Sequence, residues 1–134
     1  MKYIIKDASL LTMSGEDFQA TGDVLIDEGK IACVGTVDPK MSVNAQIING
    51  KGKLLMPGLI NCHCHVPMTL LRNYADDLEL QTWLFKHIFP AEDRLTARDV
   101  HIGALIGIME MLSTGTTGFI DMYFHMDAIA EAVA

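Results

Sequence analysis

The most constraining feature of this sequence is an apolar run that ends in two histidines one residue apart. The run begins at Leu54 and leads through Cys62 into His63, Cys64 and His65. Its Leu- and Ile-rich part shows little alternation, which is typical of a strand buried on both faces in a parallel sheet. Because side chains alternate along a strand, we expect His63 and His65 on one face and the two cysteines on the other. Two imidazoles on one face can share a metal ion, so this strand end is a candidate site.

Two other interpretations of the same residues remain open. Paired histidines also occur as hydrogen-bonded structural residues without a metal. A small metal or redox module built from Cys62, His63, Cys64 and His65 is disfavoured, because alternation sends the two pairs to opposite faces. The three cysteines of the chain do not form a disulfide framework, so a reducing cytoplasmic location is expected.

The first part of the chain predicts short strands and turns. Strands are predicted at residues 3–5, 8–11, 23–27, 30–35 and 45–48, with a polar loop at 14–17. The Glu28-Gly29 pair between two apolar strands is typical of a tight hairpin. This all-β segment is too thin to bury much by itself, so a partner sheet from elsewhere in the protein is expected.

Beyond residue 52 the pattern changes to alternating strands and helices. A helix is predicted at 81–90, followed by a second helix that begins with a Thr96/Asp99 capping box and ends near Gly115. A strand at 117–123 and the start of another helix complete the chain. The order strand, helix, strand, helix is typical of a parallel sheet.

Composition and charge exclude some partners. The chain has 134 residues, 50% hydrophobic content and a formal net charge of −7, and it carries no basic stripe that would bind a nucleic acid. No apolar run is long enough to span a bilayer, and no secretory signal is present. The last residues are typical of the opening of a helix without a stop signal, so we expect the front portion of a longer protein.

Several motifs together resemble the amidohydrolase superfamily of metal-dependent hydrolases. They are Pro57–His65, Pro67–Arg72, Ala75–Leu78, Trp83-Leu84, Pro90–Thr96 and Asp121–His125. Within that superfamily the last three are similar to the branch of the S-adenosylhomocysteine/5′-methylthioadenosine deaminases. Chlorohydrolases and guanine and cytosine deaminases are related alternatives.

The resemblance implies an α/β fold: the start of a (β/α)8 barrel preceded by part of a small β-sandwich. Residues 1–52 would be the N-terminal portion of a sandwich built from both chain ends, and 53–134 the first two strand–helix units of the barrel. A complete barrel needs about 250 residues, so the remaining units would come from a missing C-terminal segment or from a partner chain.

The resemblance also assigns roles to residues of this chain. His63 and His65 match the first two metal ligands, Trp83 an aromatic wall over the substrate, and Glu92 the carboxylate that holds the ribose hydroxyls. Read without the resemblance, Trp83 is a core aromatic and Glu92 a solvated charge. Cys64 stands where relatives have threonine or another small residue, and a thiolate there can alter metal choice or oxidise. His125 can line the barrel mouth, whereas His87 and His101 are expected on the surface or in packing.

The implied activity is hydrolytic deamination at C6 of an adenosine-type nucleoside, with one divalent metal, Zn²⁺ or alternatively Fe²⁺ or another ion. Adenosine, 5′-methylthioadenosine and S-adenosylhomocysteine all remain open as substrates, and complete relatives are commonly homo-oligomers. The further ligands, the acid/base glutamate and a metal-adjacent aspartate would come from later strands, so the isolated chain is expected to be inactive. The competing hypothesis is a split-enzyme or interaction fragment that needs a partner chain.

Overall fold

The computed structural model describes residues 1–14 and 18–134, so Gly15–Asp17 of the predicted polar loop lie outside the described residues. The chain divides into two compact units, Met1–Pro57 and Gly58–Ala134. The boundary predicted after residue 52 falls earlier than this division. The reason is that Leu54 and Leu55 pair with the first strand of the chain and so extend the first unit. Within the described residues no helix is long and apolar enough to cross a membrane.

The first unit is a five-stranded mixed sheet. Its strands are β1 (Lys2–Leu11), β2 (Phe18–Asp27), β3 (Lys30–Gly35), β4 (Gln46–Asn49) and β5 (Leu54–Leu55). The order is β3-β2-β1-β4, and β5 also pairs with β1. β1, β2 and β3 are antiparallel, whereas β4 and β5 run parallel to β1. Small apolar clusters, one of Ile4, Leu25 and Val37 and one of Ala8, Leu10 and Val24, form its core.

A bulge in β1 and the turn between β2 and β3 are the two local features that bear on the predicted strands of this sheet. The two strands predicted at residues 3–5 and 8–11 are one strand, whose register shifts between Ile5 and Ala8. Asp7 has a φ of 59° at this bulge, which interrupts the alternation and mimics a turn. The predicted hairpin is confirmed: Glu28 and Gly29 have φ values of 50° and 76°, as a type I′ turn requires.

The second unit is α/β. It contains β6 (Leu59–Cys64), a 3₁₀ helix (Val66–Leu71), α1 (Leu80–Trp83), a π turn (Leu84–Ile88), α2 (Phe89–Glu92), α3 (Ala97–Ser113), β7 (Thr116–Asp121) and α4 (Met126–Val133). β6 and β7 pair in parallel, which confirms the predicted parallel connection. The buried residues of its core are Val66, Val100, Ala104, Ala128 and Ile129.

The strand predicted from Leu54 to the histidines is interrupted. Residues 56–58 separate β5 from β6, because Pro57 has no N–H to donate to a ladder. Gly58 lies so close to Thr117 that an added Cβ would meet its Oγ1 at 2.1 Å. The expectation of burial on both faces is wrong for the described chain, in which Leu59 and Ile60 are more than half exposed. Within the described residues β6 has one strand partner, β7, which covers only one edge.

The helix predicted at 81–90 extends over residues 80–92 and changes its hydrogen-bond pattern in the middle. Pro90 sits in this helix, and in a regular α-helix its ring would clash with the carbonyl of Lys86. The π turn at Leu84–Ile88 widens the helix just before that proline. The helix therefore continues through Pro90 to Glu92 instead of ending there.

α3 is fixed at its start by a cap and along its length by two glycines. The predicted capping box is confirmed: Thr96 N–H donates to Asp99 Oδ2 at 2.8 Å, and Asp99 N–H donates to Thr96 Oγ1 at 3.3 Å. Gly103 and Gly107 let the 3₁₀ helix approach closely, and Thr69 Oγ1 donates to the Gly103 carbonyl at 2.7 Å. This packing holds the chain segment that directly follows the histidine pair.

Replacing Gly103 with alanine is expected to lower the free energy of unfolding by about 1–3 kcal/mol. A Cβ at this position would lie 2.7 Å from the Pro67 carbonyl oxygen, which is backbone and cannot rotate away. Helix propensity alone predicts the opposite sign, since alanine is favoured over glycine by about 1 kcal/mol inside a helix. Urea denaturation of the variant measures the effect, with Met109→Ala on the exposed face of the same helix as the control. A more stable Gly103→Ala protein would contradict the packing argument.

Candidate functional site

The histidine pair lies at the carboxyl end of β6 and its continuation. The rings of His63 and His65 are on the same side, with their centroids 5.1 Å apart and their planes at 80°. This is the arrangement that strand alternation predicted. His63 is exposed and His65 is partly buried, so both nitrogen-bearing edges remain within reach of a small ligand.

The neighbouring strand orients His65. The Nδ1 atom of His65 lies 2.7 Å from the main-chain carbonyl oxygen of Met122, which directly follows β7. A carbonyl oxygen only accepts hydrogen bonds, so this contact places the proton on Nδ1 and leaves Nε2 with a free lone pair. Histidines that bind metals are commonly held in this way by a main-chain carbonyl.

The donor set fits part of a divalent metal site. Two neutral imidazoles on one face, one of them with its tautomer fixed, are suitable ligands for zinc and similar ions. Within residues 1–14 and 18–134, no group of three or more His, Cys, Asp or Glu side chains converges on one point. A stable site takes at least three protein ligands, so His63 and His65 would supply only part of its coordination.

A cavity of about 450 Å³ adjoins the pair. It is lined by His65, Met68, Trp83, Leu84, Ile88, Phe89, Glu92, Asp93, Met122, Tyr123 and Phe124. The structure therefore brings three of the four sequence-predicted site residues, His65, Trp83 and Glu92, to one cavity. His63 does not line it. The cavity has a mostly apolar wall with a few polar groups, as small-molecule sites commonly do.

Glu92 is not a solvated charge. Its side chain is at the end of α2 and only 7% exposed, and it is the one charged residue that is buried in the described part of the chain. Burying a carboxylate is costly unless donors are present to satisfy it. Trp83 is partly buried on the same helical segment, with its ring at the cavity and not in the core cluster of the unit.

Two polar residues at this site were not singled out from the sequence. Asp121 ends β7, and its Oδ2 accepts a hydrogen bond from the Val66 N–H at 3.2 Å. Burial raises the pKa of Asp121, although hydrogen bonds from the Val66 and Met122 amides act in the opposite direction. Burial also raises the pKa of Tyr123, and the adjoining carboxylate of Glu92 raises it further. The sequence signals for these residues were their position at the end of the strand predicted at 117–123 and their place in the motif Asp121–His125.

The remaining candidates lie away from the cavity. Cys64 packs against the core, and its Sγ donates to the Ile120 carbonyl at 3.3 Å. Burial and the charge of Asp121 raise the pKa of Cys64. The raised pKa favours the thiol over a metal-binding thiolate. His125 is exposed at the start of α4 and does not line the cavity. His101 contacts the Ala128 carbonyl at 3.1 Å and His87 contacts the ring of Tyr74, so both take part in packing.

The second unit is an α/β scaffold. Its candidate site, the paired imidazoles beside a largely apolar cavity, lies where a parallel strand ends, as is typical of such scaffolds. Residues 54–134 match the sequence profile of the amidohydrolase family. The chain therefore belongs to the amidohydrolase family. The resemblance stated from its motifs is confirmed.

The relatives that this chain resembles in sequence are named as nucleoside deaminases. A 5′-deoxyadenosine deaminase from Methanosarcina mazei is 52% identical over 132 residues, which cover 97% of this chain and 30% of that protein. A 5-methylthioadenosine/S-adenosylhomocysteine deaminase from Caldicellulosiruptor saccharolyticus is 44% identical over 98% of this chain and 32% of its own length. An adenosine deaminase from Xanthomonas campestris, crystallised with bound zinc, superposes with a TM-score of 0.80 at 32% identity, covering 97% of this chain and 30% of that one. The chain thus spans about a third of the length of the relatives it matches.

Proposed function

We propose that this chain supplies the first part of a zinc-dependent deaminase that hydrolyses the 6-amino group of adenosine-type nucleosides. The reaction consumes one water and releases ammonia, leaving an inosine-type product. The observation that carries the proposal is that His65, Trp83 and Glu92 line a single cavity. The names of the relatives, which act on 5′-deoxyadenosine, 5′-methylthioadenosine and S-adenosylhomocysteine, support the same substrate class.

Each of these residues has a role that its chemistry suits. His63 and His65 would hold the metal ion through their ring nitrogens, with the Met122 carbonyl keeping the His65 ring in place. A divalent ion held by these rings would supply the chemistry that lowers the pKa of a water molecule and makes it nucleophilic near neutral pH. The indole of Trp83 offers a flat apolar face for the purine. The carboxylate of Glu92 accepts hydrogen bonds from the two ribose hydroxyls.

We also propose the wider architecture that the family implies. The second unit would be the start of a (β/α)8 barrel, and the sheet of the first unit part of a small sandwich. The exposed apolar residues of β6, Leu59 and Ile60, support this proposal, since exposed strand edges and faces favour association with further strands. The remaining metal ligands and the acid/base carboxylate would lie on those later strands.

The test is ammonia release by the protein purified at the full length of its reading frame and loaded with zinc. We expect turnover of adenosine, 5′-deoxyadenosine, 5′-methylthioadenosine or S-adenosylhomocysteine, and none of free adenine, because Glu92 requires a ribose. Chelation should abolish turnover, and added zinc should restore it. Turnover confined to guanine, cytosine or a chlorinated triazine would overturn the proposal.

Purified as 134 residues alone, the chain is expected to release no measurable ammonia from these nucleosides. Two imidazoles bind zinc weakly compared with a complete set of protein ligands, and the acid/base group is not among the described residues. A coupled ammonia assay and a zinc-binding titration measure both effects. Appreciable turnover would contradict this prediction. A partner polypeptide that restores activity on mixing would instead support a split enzyme.

A further inference from the structure

Tyr123 lines the cavity, and the function proposed above gives its hydroxyl no role. Its Oη atom is buried and has no hydrogen-bond partner among the described residues. Among the described side chains, Asp121 Oδ1 is the one other buried polar atom without a partner. A buried polar group without a partner costs about 1–3 kcal/mol. Such an atom at a functional site therefore needs an explanation.

The ring of Tyr123 is held firmly from two sides. It stacks on Phe124, with centroids 4.1 Å apart and planes at 22°, and it lies 6.4 Å from the ring of His65. Tyr123 follows β7 by two residues, so the strand end fixes its backbone as well. These contacts limit the directions in which the ring can present its hydroxyl.

Besides burial, two carboxylates raise the pKa of the phenol, those of Glu92 and Asp121, and Glu92 has the larger effect. Glu92 is 7% exposed and lines the same cavity as Tyr123, whereas Asp121 does not line that cavity. A tyrosine hydroxyl has an ordinary pKa of about 10, so it is a hydrogen-bond donor at neutral pH. A hydrogen bond from the phenol to Glu92 would satisfy the buried hydroxyl and give the buried carboxylate a donor.

We propose that Tyr123 is a positioning residue that donates its hydroxyl proton to Glu92 and so aims this carboxylate at the ribose hydroxyls of the substrate. This inference rests on the nucleoside deaminase function proposed above. The hydrogen bond leaves two lone-pair directions on the outer oxygen of Glu92 free for the 2′ and 3′ hydroxyls. Tyr123 also contacts the ring of His65, so it sets the distance between the sugar-binding end and the metal-binding end of the cavity.

The test is the Tyr123→Phe variant of the full-length, zinc-loaded enzyme. Because the ring is kept, only the hydroxyl is lost, and we expect KM for adenosine to rise about tenfold, the factor that corresponds to one charge-assisted hydrogen bond, with kcat changed less than about twofold. KM for 2′,3′-dideoxyadenosine should not change. The matched control is Tyr74→Phe at an exposed tyrosine whose ring lies against His87. Both kinetic constants should be unchanged in that variant.

A double-mutant cycle identifies the partner. In a Glu92→Ala background, which removes the acceptor, Tyr123→Phe should have much less than its full effect on KM, whereas in an Asp121→Ala background the full effect should persist. A fall of kcat together with a rise of KM, equal for both nucleosides, would show a merely structural role and overturn the proposal. Persistence of the effect without Glu92 would do the same.

A crystal structure of the full-length protein gives a readout that does not depend on the reaction. We expect Tyr123 Oη within about 2.6–2.8 Å of a Glu92 carboxylate oxygen. A hydroxyl bonded to Asp121, or one that has turned into solvent, would overturn the positioning role. If the enzyme deaminates no nucleoside yet this bond is present, the proposed function has failed and the contact between Tyr123 and Glu92 stands.

Discussion

Replacing His65 with alanine in the full-length, zinc-loaded enzyme is expected to lower kcat/KM for adenosine-type nucleosides by about 1,000-fold or more, because the water nucleophile then loses its activation. The Nε2 atom of His65 is the ring nitrogen left free by the contact of Nδ1 with the Met122 carbonyl. Without it the metal keeps only one of the two imidazoles that this chain offers. Zinc content, measured by mass spectrometry on the purified protein, should fall together with activity.

His63→Ala is expected to behave in the same way, since the two rings adjoin each other, with centroids 5.1 Å apart. The matched control is His87→Ala, which removes an imidazole that packs on Tyr74 and lies outside the histidine pair. That variant should retain its zinc and its rate. If His65→Ala kept both zinc and activity while remaining folded, the metal would have to be bound elsewhere, and the histidine pair would be structural.

Neutralising Glu92 is expected to have the second largest effect. Glu92→Gln should raise KM for adenosine by about 10-fold, and Glu92→Ala by about 100-fold, because two charge-assisted hydrogen bonds to the ribose are weakened or lost. The value of kcat should change little by comparison, since in the proposed function Glu92 would hold the sugar and not the reacting carbon. Steady-state ammonia release over a range of nucleoside concentrations separates the two constants.

The substrate itself provides the control for this prediction. With 2′,3′-dideoxyadenosine, which lacks both hydroxyls, Glu92→Gln should leave KM unchanged. The matched protein control is Glu131→Gln on the exposed side of α4, which should not alter either constant. An equal rise of KM for both nucleosides would mean that Glu92 maintains the cavity and does not recognise the ribose.

Local patterns in the sequence were sufficient for several features of both units. The capping box at Thr96 and Asp99 joins residues three positions apart, so its hydrogen bonds exist wherever that segment becomes helical. The same is true of the Glu28-Gly29 turn, whose conformation depends on two adjacent residues. The common face of His63 and His65 follows from strand alternation alone.

Predictions that depended on long-range pairing were less accurate. The prediction of one continuous strand from Leu54 to the histidines was wrong, because Leu54 and Leu55 pair with Ser9 and Leu10, which are far away in the sequence. The register shift in β1 was missed for a similar reason: a bulge is defined by the partner strand and not by the bulged residues. Glu92 gave no local sign of burial, since its environment is formed by a segment that comes some thirty residues later.

The sequence by itself determined which chemical groups this protein can present, and in which periodic order: two imidazoles on one strand face, a helix with an indole and a carboxylate, and a parallel α/β pattern. Only the tertiary structure decided how these groups are used. The Met122 carbonyl selects the nitrogen of His65 that stays free, across a separation of 57 residues, and the cavity brings Trp83, Glu92 and Tyr123 together. The physical reason is that alternation and capping act between neighbours in the chain, whereas tautomer choice and burial depend on atoms that only the packed fold brings within contact distance.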